Sequence, residues 1–261
     1  MVRRYAGDEA QQVVVIGGLA APRRPRLGAR RPRPAEQGPA PVEVTRATVI
    51  AAGALDGEAR AEAWLKEATG HAAEATVVDA LAVLNRALHA RRVAAADPYA
   101  GEVAPRQALV TRVGYGTGDE VAEGHWTAAW ELPAEPSRLA RESALRPQER
   151  FAALLAARDV TLACELLALR ARLDLDHGRD REAALQLEAA LTAAVSELEG
   201  WRELHGMPAR LDELAALAPA VAEAASAARV GALDEAGRDA SAHALGRLEA
   251  ALRARTASAS F

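Results

Sequence analysis

Residues 148–176 read QERFAALLAARDVTLACELLALRARLDLD, and this stretch decides the class of fold. Large apolar side chains recur in it at three-, four- and seven-residue steps, the spacing of one helix face. They are Phe151, Leu155, Leu162, Leu166, Leu169 and Leu173. Pro147 suits a helix start and Gly178 a helix end. The pattern predicts one long amphipathic helix whose apolar face is buried.

Three further helices are predicted on its C-terminal side. Residues 181–199, 208–229 and 233–253 carry leucine, valine and alanine at helical spacing, with glycine or proline between them. Short connections between amphipathic helices favour antiparallel packing. Residues 134–261 are therefore predicted to form a bundle of about four helices.

Residues 42–133 show mixed periodicity and are predicted to form a small α/β unit. Alternating apolar residues indicate strands over 42–50, 107–115 and 125–132, and the last two are joined by a glycine-rich loop typical of a hairpin. Helices are predicted over 58–67 and 77–93, the second with a capping box of Thr76 and Asp79. The predicted fold class is thus α+β, predominantly helical.

The first 41 residues are interpreted as a basic, largely disordered arm. Residues 1–34 hold eight arginines against Asp8 and Glu9, whereas the whole chain has a net charge of −4. Residues 22–41, PRRPRLGARRPRPAEQGPAP, cannot build a packed core. Its arginines could contact a polyanion such as nucleic acid, or the acidic remainder of the chain. They are Arg23, Arg24, Arg26, Arg30, Arg31 and Arg33.

The segment VVVIGGLAA, residues 13–21, precedes that stretch and is open to several interpretations. It resembles the strand that begins a dinucleotide-binding fold, but Leu19 and Pro22 occupy the positions of the second and third glycines. It also resembles a short signal segment, although acidic residues precede it. A short strand from Val13 to Ile16 is the preferred interpretation. No apolar run approaches about 20 residues, so a cytoplasmic protein that does not span a membrane is expected.

The loop that follows Thr111 is the most distinctive local motif, reading TRVGYGTGDE. Glycines after a strand can expose backbone N–H groups to an anion, and an arginine lies among them. The candidate ligand-binding residues are Arg112, Gly114, Tyr115, Gly116, Gly118, His125 and Trp126. The alternative is a tightly turned hairpin loop without a ligand. No metal site, cofactor or catalytic residue is predicted, because the acidic groups and histidines show no ligand spacing.

Asp159 and Cys164 lie within the first predicted long helix. Asp159 falls on the apolar face of the predicted helix, and a buried carboxylate needs a cationic partner, such as an arginine from a neighbouring helix, or a raised pKa. Cys164 is the only cysteine, so no disulfide can form within the chain. It is interpreted as a buried apolar residue.

Part of the helical half resembles the tetratricopeptide helix-turn-helix unit. The resemblance rests on the spacing of Leu167, Ala171, Gly178, Ala183, Leu187 and Ala190, and covers residues 159–191. Asp174 stands where that pattern has an aromatic residue, Val195 lies near the place of its usual proline, and there is no second copy. A single unit cannot bury its own face, so the resemblance implies a helical hairpin and not a solenoid.

Three functions follow from these observations as hypotheses. The leading one is a non-enzymatic adaptor or assembly protein that binds a protein partner, or itself, through helical surface. The second is an enzyme or small-ligand binder that uses the loop over residues 112–126. The third is polyanion binding through the arginines of the arm.

Overall fold

A computed structural model describes residues 11–19, 44–51, 53–133 and 147–258. The described residues are predominantly helical, with two small two-stranded sheets. The chain divides into two compact units, residues 1–135 and 136–261.

The first unit contains four strands and two helices among its described residues. In chain order they are β1 (Gln12–Leu19), β2 (Val44–Ala51), α1 (Glu58–Thr69), α2 (Ala73–Ala95), β3 (Thr111–Tyr115) and β4 (Ala128–Leu132). β1 pairs antiparallel with β2, and β3 pairs antiparallel with β4. Helix α2 packs on the β1–β2 sheet, and α1 packs on the β3–β4 sheet. Residues 12–19, assigned above to the basic arm, therefore form β1, which confirms and extends the strand predicted from Val13 to Ile16.

Several predicted boundaries in this unit were wrong. Helix α2 begins at Ala73, so Thr76 lies inside its first turn, where the hydroxyl donates to the Ala72 carbonyl instead of capping the helix. Residues 105–107 form a 3₁₀ turn and Leu109 is 83% exposed, so the predicted strand over 107–115 begins only at Thr111. The segment before β3 is fixed by Asn85 of α2, whose amide both donates to and accepts from the backbone of Val103.

The second unit is a helical bundle with one short helix before it. Helix α3 (Pro147–Leu155) is followed by α4 (Ala163–Asp176), α5 (Asp180–Glu197), α6 (Met207–Val230) and α7 (Glu235–Ser258). Sequential helices of the last four pack on one another, and α7 also packs on α4 and α5. The core is made of leucine and many alanines, including Leu187, Leu214, Leu245, Ala171 and Ala190. Because alanine side chains add little volume between the helices, the helices approach closely. The bundle therefore needs few aromatic residues to fill its core.

The prediction of one continuous helix over 148–176 was wrong. Helix α3 ends at Leu155 and α4 begins at Ala163. The end of α3 is closed by an Arg158 N–H bond to the Ala153 carbonyl, with Ala157 in the left-handed region at φ 52°. That geometry usually requires glycine, so nothing in the sequence marks the break. Asp159 consequently lies in a non-helical connection and not on a helix face.

Helices α4 and α5 form the hairpin that the tetratricopeptide-like spacing implied. Their connection is three residues long, and Ala171, Ala183, Leu187 and Ala190 are all at most 1% exposed. Asp174, at the aromatic position of that pattern, accepts hydrogen bonds from Arg179 and Gln186. A buried polar contact thus replaces the aromatic packing of the repeat.

Candidate interaction surface

Helix α4 turns three leucines outward. Leu166, Leu169 and Leu173 are 50%, 67% and 39% exposed, and their three- and four-residue spacing places them on one side of the helix. These three residues are called the leucine face below. They were predicted to point into the bundle, and that prediction was wrong.

The direction of α4 is set by its opposite side. Cys164, Ala168 and Ala171 are at most 3% exposed and pack into the core, with Leu167 and Leu175 partly buried beside them. Small side chains let α4 lie close to α5, and larger leucines at those positions would hold the two helices apart. The helix therefore has two apolar sides. The side made of small residues is buried, and the side made of leucines is exposed to solvent.

The charges that flank the leucine face are unequal. Arg172 is bound to Glu249 of α7 at 2.8 Å and lies 3.7 Å from Asp176, so its positive charge is neutralised by these carboxylates. Arg170 lies on the other flank, is exposed, and has no ion-pair partner among the residues of the described ranges. The surface is therefore apolar along its centre and positive along one border.

Further apolar side chains precede the leucine face in the chain. Phe151 and Leu155 of α3 and Val160 of the connection are 58%, 73% and 57% exposed. Arg150, next to Phe151, donates to Glu165 at 2.6 Å, and Glu165 precedes Leu166. This contact joins the start of α3 to the first turn of α4.

A buried ionic cluster lies where α3, the connection after it, α4 and α7 meet. The side chains of Arg150 and Arg255 bind both Asp159 and Glu165, and Arg255 is only 2% exposed. The shortest contact of Arg255 is 2.6 Å to Asp159, and its guanidinium lies 4.4 Å above the ring of Trp201. Two positive and two negative groups meet here, so the cluster is neutral and joins α3, α4 and α7.

The cluster explains the ionisation of Asp159. Burial alone would raise the pKa of this carboxyl, but the Val160 amide and the two arginines stabilise its charged form, and the net result is a pKa below the ordinary value. The expectation of an arginine partner from a neighbouring helix agrees with Arg255 of α7. Arg150 also donates to this carboxylate, at 3.1 Å.

Cys164 lies beside this cluster, and its environment disfavours a thiolate. Burial and the adjacent carboxylate of Glu197 raise the pKa of the thiol to about 12. Glu197 also accepts hydrogen bonds from the backbone N–H groups of Ala163 and Cys164, at 3.1 and 2.9 Å. It thereby satisfies amides that the first turn of a helix leaves free, and it binds the end of α5 to the start of α4.

The candidate ligand-binding loop is an ordered hairpin connection. Residues 118–123 form a 3₁₀ turn, and the Arg46 side chain of β2 donates to the carbonyls of Ala122 and Glu123. Arg112 binds Glu131 across the strands at 3.0 Å on the exposed side of the hairpin. Tyr115 is three residues away and so faces the other side, because side chains alternate along a strand. Arg112 and Tyr115 therefore do not converge.

The remaining residues of that loop have packing explanations. A side chain on Gly114 would come within 2.6 Å of the Ala128 carbonyl, and one on Gly116 within 2.8 Å of Val121. Gly118 has φ +65°, which glycine tolerates best. His125 is exposed and Trp126 is half-buried.

Tyr115 lies near acidic residues of α1. Partial burial, together with Glu62 and Glu58, raises the pKa of its phenol. Two carboxylates thus lie near Tyr115, whereas the glycine pattern was interpreted as a site for an anion.

The six arginines of the proposed polyanion site lie outside the described residues. Within the described ranges, no group of three acidic, histidine or cysteine side chains could hold a metal ion, and no helix is long and apolar enough to cross a membrane. An open hollow of about 330 Å³ lies at the end of α2, lined by Arg92, Val93, Ala96, Asp97 and Pro98. It includes none of the candidate residues.

Comparison with known proteins gives no further guidance, because no family model, curated protein or solved structure matches this chain.

Proposed function

We propose that this chain is a non-enzymatic adaptor or assembly protein that binds one amphipathic helix of a partner protein on the leucine face of α4. The observation that carries the proposal is the outward position of Leu166, Leu169 and Leu173 on a helix whose other side is fully packed. Soluble proteins rarely leave such a contiguous row uncovered unless it binds something.

A helix is the ligand that suits this surface. The three leucines follow the a–d–a positions of a heptad, the spacing at which a second helix inserts its own side chains between them. Leu166 and Leu173 are seven residues apart, so the row is about 10 Å long. A row of this size suits a small, reversible interface.

The border charge favours a different protein over a second copy. Arg170 would lie near its own symmetry mate if two α4 helices paired antiparallel about the centre of the leucine face. Like charges at such a border reduce the rate and strength of association. A partner helix with aspartate or glutamate beside its apolar residues meets no such repulsion.

A photo-crosslinking amino acid at position 169 tests the proposal in cells of the source organism. We expect it to capture a defined partner, and we expect the same group at Val230, which is 89% exposed at the end of α6, to capture none. In the purified pair, Leu166→Asp with Leu169→Asp should weaken binding at least tenfold, because each buried leucine contributes about 1.5–3 kcal/mol. Arg170→Glu should weaken it less and reduce its salt dependence.

The matched control is Val230→Asp, which also places a charge at an exposed apolar position. It should leave binding unchanged. Equal crosslinking from positions 169 and 230, or binding that survives both leucine substitutions, would eliminate the leucine face as the interface.

A further inference from the structure

Strand β1 has an edge that no described strand covers. β1 and β2 form a sheet of two strands, and within the described ranges no backbone group outside β2 hydrogen-bonds to residues 12–19. An unpaired edge presents a row of N–H and C=O groups that can bind another strand. A two-stranded sheet is also marginal by itself and gains stability from additional strands.

The composition of β1 lacks the usual protection of an edge. Its eight residues, QVVVIGGL, include no charged residue and no proline. Natural edge strands commonly carry lysine, proline or a bulge, which prevent pairing with other chains. β1 instead offers β-branched residues, among them Ile16, which is 53% exposed, and it ends at Leu19, which is 42% exposed. Nothing in the strand opposes the addition of another strand.

The other strand of this sheet is less suited to the role. β2 carries Arg46, whose guanidinium is bound to the carbonyls of Ala122 and Glu123 in the 3₁₀ turn. The β2 strand also contacts that turn directly. Among the described residues, the edge left uncovered is therefore the one on the β1 side.

We infer that β1 pairs antiparallel with β1 of a second copy of this chain, giving a four-stranded sheet in the order β2–β1–β1–β2. A two-fold axis perpendicular to the sheet produces this arrangement and keeps equivalent faces on the same side. Any charge on the strand would then lie near its own copy. β1 contains no charged residue, so two copies of it can pair without repulsion. The leucine face differs in this respect because Arg170 borders it.

The outer face of the sheet gives a second reason for a copy of the same chain. In the β1–β2 register, Val14 pairs with Val49 and Ile16 with Ala47 on the side opposite buried Thr48. Because both copies present this face on the same side, their apolar residues join into one continuous surface across the new strand pair. A two-fold axis near the middle of β1 places the two Ile16 side chains about 5–8 Å apart.

The test uses charge substitutions in the full-length protein, with mass measured by sedimentation velocity over a micromolar range. We expect wild type to be a dimer and both Ile16→Lys and Ile16→Glu to be monomers, because each variant places like charges together. An equimolar mixture of the two variants should form a mixed dimer, because opposite charges then meet. Recovery in the mixture also establishes that the single variants are folded.

Ala47→Lys is the matched control. Ala47 is exposed and directly opposite Ile16, on the same face but one strand further from the partner. The two lysines would be about 14 Å apart across three strand spacings, so this variant should remain a dimer. A monomeric wild type, a dimeric Ile16→Lys, or an Ala47→Lys variant as monomeric as Ile16→Lys would each overturn the inference. A dimer that is lost only with Leu169→Asp would assign self-association to α4 instead.

Discussion

Removing the cation of Arg255 is the most informative perturbation of the helical unit. Its side chain is 2% exposed and binds Asp159 and Glu165, each of which is 10% exposed. In Arg255→Met the apolar stem can still cover Trp201, but the cluster of two cations and two anions becomes one cation and two anions. The substitution thus leaves a net negative charge away from water.

The expected decrease in the free energy of unfolding follows from that excess of negative charge. Breaking a buried ion pair by removing one partner costs about 3–5 kcal/mol. Arg150 remains in contact with both carboxylates at 3.1 and 2.6 Å, so we expect the lower end, about 3 kcal/mol. Adding Asp159→Asn to Arg255→Met restores neutrality, and the double variant should be less destabilised than the sum of the two single variants.

Cys164 makes the measurement specific to this unit. It is the only cysteine and is fully buried, so its alkylation in a short pulse at each urea concentration reports opening of the bundle alone. Arg202→Met is the control, because its ion pairs with Glu199 and Asp212 are exposed, and it should cost less than about 1 kcal/mol. An Arg255→Met loss no larger than the Arg202→Met loss would refute the view that the cluster stabilises the bundle.

Three further predictions concern the same unit. Because the pKa of Asp159 is lowered in the folded state, its stabilisation is present at neutral pH and is lost as the pH falls below about 4; urea titrations at several pH values should show this loss, and Arg255→Met should reduce it. Ala157→Gly should raise the free energy of unfolding by up to about 1 kcal/mol by relieving the positive φ, whereas Ala152→Gly within α3 should lower it by a similar amount, and identical effects would argue against a left-handed Ala157. The Cys164 thiol, with a pKa of about 12, should resist iodoacetamide at pH 8.5 in the native protein and react after unfolding, and rapid native alkylation would contradict its burial.

The helices of the bundle could be predicted closely from sequence. Residues 181–199 and 208–229 were predicted to be helical, and α5 and α6 cover Asp180–Glu197 and Met207–Val230. Glycines at both ends and leucines at regular steps are local signals, and they act over one or two helical turns. Such features need no knowledge of the tertiary structure.

The break between α3 and α4 could not be predicted in that way. Ala157 adopts a conformation that costs alanine energy, and the surrounding contacts hold it there. The connection that contains Ala157 is bound through Asp159 to Arg255, which is 96 residues away in the sequence. A single sequence gives no signal for a pairing at that separation, so Asp159 was placed on a helix that does not exist.

The leucine face shows where periodicity alone is insufficient. The spacing of Leu166, Leu169 and Leu173 correctly places them on one side of a helix, but it does not say which side enters the core. The usual assumption is that the larger apolar residues are buried, and here Ala168 and Ala171 are buried instead. The sequence did contain a signal for this orientation, because the opposite side of the same helix is rich in alanine and can pack closely against a neighbouring helix.

The two proposed surfaces differ in the kind of partner that their charges allow. The edge of β1 is neutral and is covered by no strand of the described residues, so an identical strand satisfies it without repulsion. The leucine face is bordered by the cation Arg170, so it favours an acidic helix from another protein. β1 and α4 belong to different compact units of the chain, so each surface can be altered by a substitution within its own unit. Ile16→Lys should therefore abolish self-association without removing the partner helix's binding surface, and Leu169→Asp should do the reverse; loss of both properties in either variant would mean that the two surfaces are coupled.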